Sequence, residues 1–121
     1  MAWNFNQYES VFSQIANRLK LDIFNGKYPL GSQMPSVRQL AVDASVNPNT
    51  MQRALAVLEE EGLVYSHGTV GRFVTADAET VKHCKMITHK KMAKRLVDYA
   101  KEHGITAEDL IAYIKEEEKI L

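Results

Sequence analysis

Asn49, Thr50, Gln52 and Arg53 crowd the start of one predicted helix, and all four can donate hydrogen bonds to another molecule. Asn47-Pro48 marks the start: an amide to cap free backbone N–H groups, then a ring where no N–H is missed. Met51, Leu55 and Leu58, with Ala54 beside them, form an inward stripe at helical spacing. Asn49, Gln52, Arg53 and one side of Thr50 are therefore left facing outward near the tip. Asn and Gln amides can pair with adenine, and Arg can make charge-assisted, bidentate bonds to guanine or phosphate. A donor-rich helix tip is what a helix-turn-helix inserts into the major groove of DNA.

A shorter helix must come first. Ser36 stands three residues before Gln39, the capping-box spacing in which hydroxyl and amide each satisfy a free backbone N–H. Leu40, Ala41 and Ala44 give this helix a narrow apolar face, and Arg38 near its start has the same chemistry as Arg53. Ser36 and Thr50 suit phosphate, reinforced by the N-termini of their helices. Upstream, Phe12, Ile15, Leu19 and Ile23 recur at three- and four-residue steps. They predict a packing helix of about four turns from Tyr8 onward, ended by Asn25-Gly26. Residues 1–7 give no periodic signal, and 27–34 read as a connector anchored to the core by Tyr28 and Leu30.

Two β-prone runs follow, Leu63 to Ser66 and Arg72 to Thr75. The glycines between His67 and Gly71 make them a hairpin with a loop of about five residues. Three helices and a small hairpin add up to a winged helix-turn-helix over residues 1–76. The loop His67-Gly68-Thr69 is small enough to lie on a phosphate backbone or enter the minor groove, and Arg72 belongs to the same wing. The plainer reading of that loop is a solvated turn.

Residues 77–121 change character. Asp77 or Thr80 can cap a helix over 80–103, a stretch without glycine or proline in its interior, with Met92, Leu96, Tyr99 and Ala100 on one face. His103-Gly104 closes it, and Thr106 followed by Glu108 and Asp109 opens another. Leu110, Ile111 and Ile114, joined by Leu121, form the apolar stripe of this last helix. A helical hairpin of roughly 45 residues is too small to bury a core alone. It is expected to pack on the winged domain, on a second copy of itself, or on both. Met92, Leu96, Tyr99, Leu110, Ile111 and Ile114 are the candidate dimer contacts. The expected fold class is mainly α with a small β-hairpin wing, followed by a C-terminal helical hairpin.

Bulk properties narrow the function. No apolar run approaches the roughly 20 residues of a membrane span, and the start lacks a signal-peptide layout. A lone cysteine, Cys84, excludes an intrachain disulfide and suits the cytoplasm. His83, Cys84 and His89 lack the paired short spacings of a zinc site, so no metal or other cofactor is expected. No phosphate loop, nucleophile elbow or HExxH motif points to an enzyme. The net charge of zero is awkward for a nucleic-acid binder, so the distribution of charge matters. Residues 1–76 hold six cations (Arg18, Lys20, Lys27, Arg38, Arg53, Arg72) and six acids (Glu9, Asp22, Asp43, Glu59, Glu60, Glu61). The last three acids lie about 15 Å from the helix tip at 1.5 Å per residue, which leaves Arg38, Arg53 and Arg72 to form a basic face. Lys82, Lys85, Lys90, Lys91, Lys94 and Arg95 form a second basic stretch. It is either an extra phosphate contact or a solvated helix face balanced by Glu116 to Glu118.

The spacing of several residues resembles the winged DNA-binding domain of the GntR family of bacterial transcriptional regulators. The marks are Gly31-Ser32, Pro35-Ser36-x-Arg38-x-Leu40-Ala41 and Thr50-x-x-x-Ala54-Leu55-x-x-Leu58-Glu59-x-Glu61-Gly62-Leu63, then Gly71-x-Phe73-Val74 in the wing. Asn47 to Thr50 and the short helical tail are similar to the YtrA subfamily, whose C-terminal part is a small dimerising unit. The resemblance implies a homodimeric repressor on a DNA operator with two-fold symmetry. It makes Arg38 a base or phosphate contact, Asn49, Thr50, Gln52 and Arg53 the recognition tip, and His67-Gly68 the wing tip. Some family members have arginine where this sequence has Pro48 and Gln52, so their base preferences do not carry over. A small-molecule effector is a further candidate partner, but no constellation of residues marks its pocket. The alternative from another class is a winged module that binds protein rather than DNA.

Overall fold

Ser10 decides where the first helix begins. Its hydroxyl accepts the Ser13 N–H at 3.3 Å, so α1 runs Val11–Phe24 and Tyr8 stays outside it, 95% exposed. The expected start at Tyr8 is thus corrected by the cap. The computed structural model describes residues 3–120. After α1 come α2 (Val37–Ala44), α3 (Pro48–Glu60), β1 (Val64–His67), β2 (Gly71–Val74), α4 (Ala78–Glu102) and α5 (Ala107–Ile120). Two compact units result, 1–85 and 86–121, divided within α4.

The first unit is built on the apolar stripes read from the sequence. Ile15, Leu19 and Ile23 of α1 meet Leu40, Ala41 and Ala44 of α2 and Met51, Ala54, Leu55 and Leu58 of α3 in one buried cluster. Leu63, Val64 and Val74 close it from the hairpin side. Burying a side chain of this size stabilises by roughly 1.5–3 kcal/mol, so the cluster fixes the angle at which α3 is presented. Trp3 and Phe5 also pack on this core, although the sequence there has no period.

The hairpin is antiparallel, with Val64 opposite Val74 and His67 opposite Gly71. Because His67 and Gly71 still pair, the loop is confined to 68–70 and is shorter than expected. The connector is more ordered than its composition suggests. Met34 N–H donates to Arg72 O and Val74 N–H to Ser32 O, both at 2.8 Å, so residues 32–34 run along β2 as a third edge. Tyr28 packs on the core as expected. Leu30 does not anchor the connector: it is 48% exposed.

Asp77 caps α4, accepting the Glu79 N–H and the Thr80 hydroxyl at 3.0 Å each, so both expected residues take part. In the second unit, Thr106 Oγ1 accepts the Asp109 N–H at 3.0 Å to open α5. Among its described residues only Ala100 is buried. No described helix is long and apolar enough to cross a membrane.

Candidate nucleic-acid interface

The tip of α3 is held by its cap and by the turn before it. Asn47 Oδ1 accepts the Asn49 N–H at 2.7 Å, with Pro48 at the first helical position. Ser45 takes the left-handed conformation, φ 56°, while its N–H reaches Val42 O at 3.1 Å and that of Val46 reaches Ala41 O at 3.0 Å. Val46 then packs on the core, so the turn between α2 and α3 is pinned at both ends.

With Met51, Ala54, Leu55 and Leu58 buried, Asn49, Gln52 and Arg53 are exposed and Thr50 is half-buried, as the periodicity requires. Asn49 and Arg53 are four residues apart and share the outward face. The Arg53 guanidinium carbon lies 3.9 Å over the centroid of the Phe12 ring, a contact across two helices that spacing along the chain does not reveal. Arg38 is exposed in the first turn of α2. Ser36 Oγ accepts the Gln39 N–H at 3.1 Å, but the Gln39 amide donates to Asp43 Oδ1 at 2.8 Å instead of returning to Ser36. Only half of the expected capping box forms.

In the wing, His67, Gly68 and Thr69 are exposed. Val70 N–H closes the turn on His67 O at 3.1 Å, and the His67 ring stands edge-on to Phe73 at 5.9 Å. Gln33, which sequence reasoning missed, braces this loop from the connector. Its Nε2 donates to Val70 O at 2.8 Å and lies 2.9 Å from where a Cβ on Gly71 would sit. Gly71 also has φ +133°, which disfavours any side chain there.

Arg72 is placed differently from expectation. Its Nε donates to Glu59 Oε1 at 2.6 Å and its side chain is only 16% exposed, so it is not an open cation of the wing. Ser66 Oγ donates to the same Glu59 oxygen at 2.9 Å. The Arg72 bond, and more weakly that of Ser66, holds the Glu59 carboxyl below its ordinary range against the opposing pull of burial. Glu61 is likewise engaged, 2.7 Å from Lys20 Nζ. The acids at the end of α3 are therefore not one solvated patch: Glu59 ties down the hairpin and Glu61 ties down α1. Cys84 Sγ donates to Glu61 O at 3.4 Å, and burial raises its thiol pKa, with the Glu61 charge adding to the effect.

No group of three or more His, Cys, Asp or Glu side chains able to hold a metal occurs among the described residues. The cations from Lys82 to Arg95 are exposed. Among the described residues, no ion pair joins Lys90, Lys91, Lys94 or Arg95 to Glu116, Glu117 or Glu118. Met92, Leu96, Tyr99, Ile111 and Ile114 are between 38% and 50% exposed, and Leu110 is half-buried. Leu121 lies outside the described residues.

Three helices with a pinned turn before the third, then a braced two-stranded wing, define a winged helix-turn-helix, an architecture that presents one helix to DNA. The sequence model for "Bacterial regulatory proteins, gntR family" matches residues 12–74. The chain is 32% identical over 113 residues to the uncharacterized HTH-type transcriptional regulator YhcF of Bacillus subtilis, covering 91% of this chain and 93% of that protein. It is 33% identical over 107 residues to the HTH-type transcriptional repressor YtrA of the same organism, covering 88% and 82%. A GntR family transcriptional regulator from Listeria monocytogenes superposes with a TM-score of 0.86 at 30% identity, covering 93% and 98%. The chain belongs to the GntR family and is a DNA-binding transcriptional regulator. Its relatives and its fold are those of regulators, not enzymes.

Proposed function

We propose that this regulator is a cytoplasmic homodimeric repressor that reads a two-fold symmetric operator, with residues 1–76 contacting DNA and 77–121 dimerising. The observation that carries the DNA contact is the outward row of Asn49 and Arg53, flanked by Gln52, on a capped helix tip that has no carboxylate nearby in sequence. Arg38, Ser36 and Thr50 add phosphate or base contacts, and His67, Gly68 and Thr69 lie along the backbone or minor groove. Arg72 positions the wing through Glu59 rather than touching DNA. The exposed apolar side chains Met92, Leu96, Tyr99, Ile111 and Ile114 support pairing with a second copy, with Leu110 beside them. Repression is supported by the likeness to YtrA, itself described as a repressor.

The test is an operator selected in vitro from random duplexes, followed by fluorescence anisotropy. Arg38→Ala and Arg53→Ala should each weaken binding by about 1–3 kcal/mol while circular dichroism and dimerisation stay unchanged. With Arg38 and Arg53 of each protomer at the DNA, log K against log salt should fall with a slope of about −4 for the dimer. Unchanged binding in both variants overturns the DNA assignment. A monomer at micromolar concentration in sedimentation overturns the dimer.

A further inference from the structure

Arg53 is held by a ring rather than by a carboxylate, and the difference has a consequence for binding. A guanidinium that pairs with a carboxylate uses donors on its rim, as Arg72 does with Glu59. One stacked on an aromatic face uses the face and leaves its rim donors open. The 3.9 Å from the Arg53 guanidinium carbon to the Phe12 centroid is the contact distance of such a stack. Arg53 is exposed and makes no hydrogen bond or ion pair among the described residues. The ring itself is fixed. Phe12 is the second residue of α1, one turn of which is capped by Ser10, and it is half-buried against the core. Arg18 sits over Trp3 at 4.3 Å in a similar way, but Trp3 belongs to the segment before α1 and Arg18 does not lie on α3.

We propose that Phe12 is a positioning residue for DNA recognition: its ring presets the Arg53 guanidinium, rim outward, on the reading face of α3. This rests on the proposed role of Arg53 at the DNA. An arginine that enters the complex already ordered loses less rotamer freedom there, so the ring strengthens binding without touching the nucleic acid.

The test uses the full chain and a fluorescein-labelled operator duplex selected with the wild-type protein. Phe12→Leu keeps apolar volume and removes the aromatic face; Phe12→Tyr keeps the face. Thermal melting confirms that each variant is folded. Phe12→Leu should bind about two- to fivefold more weakly, the weight of one exposed cation–π contact, and Phe12→Tyr should match the wild type. In an Arg53→Ala background, Phe12→Leu should cause no further loss, because the ring acts only through that arginine. Wild-type or tighter binding by Phe12→Leu overturns the proposal, as does failure of Phe12→Tyr to rescue. Equal loss in the Arg53→Ala background does so too, since it reduces Phe12 to a packing residue. If Arg53→Ala alone binds like the wild type, the DNA role of Arg53 falls and the platform falls with it. If Arg53→Ala is weak while Phe12→Leu is unaffected, only the platform is lost.

Discussion

Removing Glu59 and Arg72, singly and together, measures how firmly the hairpin is attached to α3. The pair is a 2.6 Å charge-assisted bond from Arg72 Nε, with 16% of the arginine side chain and 33% of the glutamate side chain exposed. A hydrogen bond to a charged group contributes about 1.5–3 kcal/mol when shielded. A third of Glu59 meets solvent, which screens part of that, so a coupling of about 1–2 kcal/mol is expected. The assay is urea unfolding of the wild type, Glu59→Ala, Arg72→Ala and the double variant, with the coupling read from the cycle. Glu59→Ala alone should cost more than the coupling, because it leaves a mostly buried guanidinium without its carboxylate. The bond also carries a pH signature. The folded Glu59 carboxyl titrates below its ordinary 4.5, chiefly because Arg72 bonds to it. In that window the unfolded chain binds more protons, so stability rises with pH. The contribution of the pair is therefore complete above about pH 4.5 and is lost as pH falls through the lower folded value. The stability gap between wild type and Glu59→Gln should close on acidification. A coupling under about 0.3 kcal/mol, or a gap indifferent to pH, would refute the reasoning and return Arg72 to the open cations of the wing.

Two backbone positions give further tests. Ser45 holds φ 56°, so Ser45→Gly should relieve strain and stabilise by about 0.5–1 kcal/mol in thermal unfolding; destabilisation would show that the serine side chain, not the turn, matters. Gly71→Ala meets Gln33 Nε2 at 2.9 Å and an unfavourable φ of +133°, so it should break the brace to Val70 and cost about 1–3 kcal/mol in urea unfolding. An unchanged midpoint would mean that the loop shifts freely and that Gln33 does not define it.

Much of the fold was legible because it is local. Asn47-Pro48, Ser36, Thr106 and Asp77 announce their helices by side chains that cap within three residues, and each accepts a backbone N–H, although the Gln39 half of the Ser36 box is missing. The apolar stripes from Ile15 to Leu58 set the buried faces, and so the exposed side of α3, by period alone. What was missed depends on partners far apart in sequence. Gln33 meets Val70 across 37 residues, and Lys20 meets Glu61 across 41. Arg53 finds Phe12 on another helix, and Arg72 finds Glu59 rather than solvent. No spacing rule encodes such meetings, because they are set by how the helices cross.

The neutral net charge, which counted against DNA binding, looks different once these partners are placed. Arg72 meets Glu59, Lys20 meets Glu61, and Lys27 stands 3.7 Å from Asp22, so three cations and three acids of the first 76 residues are engaged with one another. Asp43 accepts the Gln39 amide. Of the remaining cations, Arg18 and Arg53 lie over rings that carry no charge, and Arg38 is exposed. Pairing thus cancels charge where α3 ends and the hairpin and α1 attach, whereas Arg53, in the first half of α3, lies over a ring and keeps its charge unpaired. A sum over the sequence treats both kinds of arginine alike, but only the first kind has its charge met by a carboxylate. The chain can therefore be neutral overall and still carry unpaired positive charge on the outward side of α3 and in the first turn of α2.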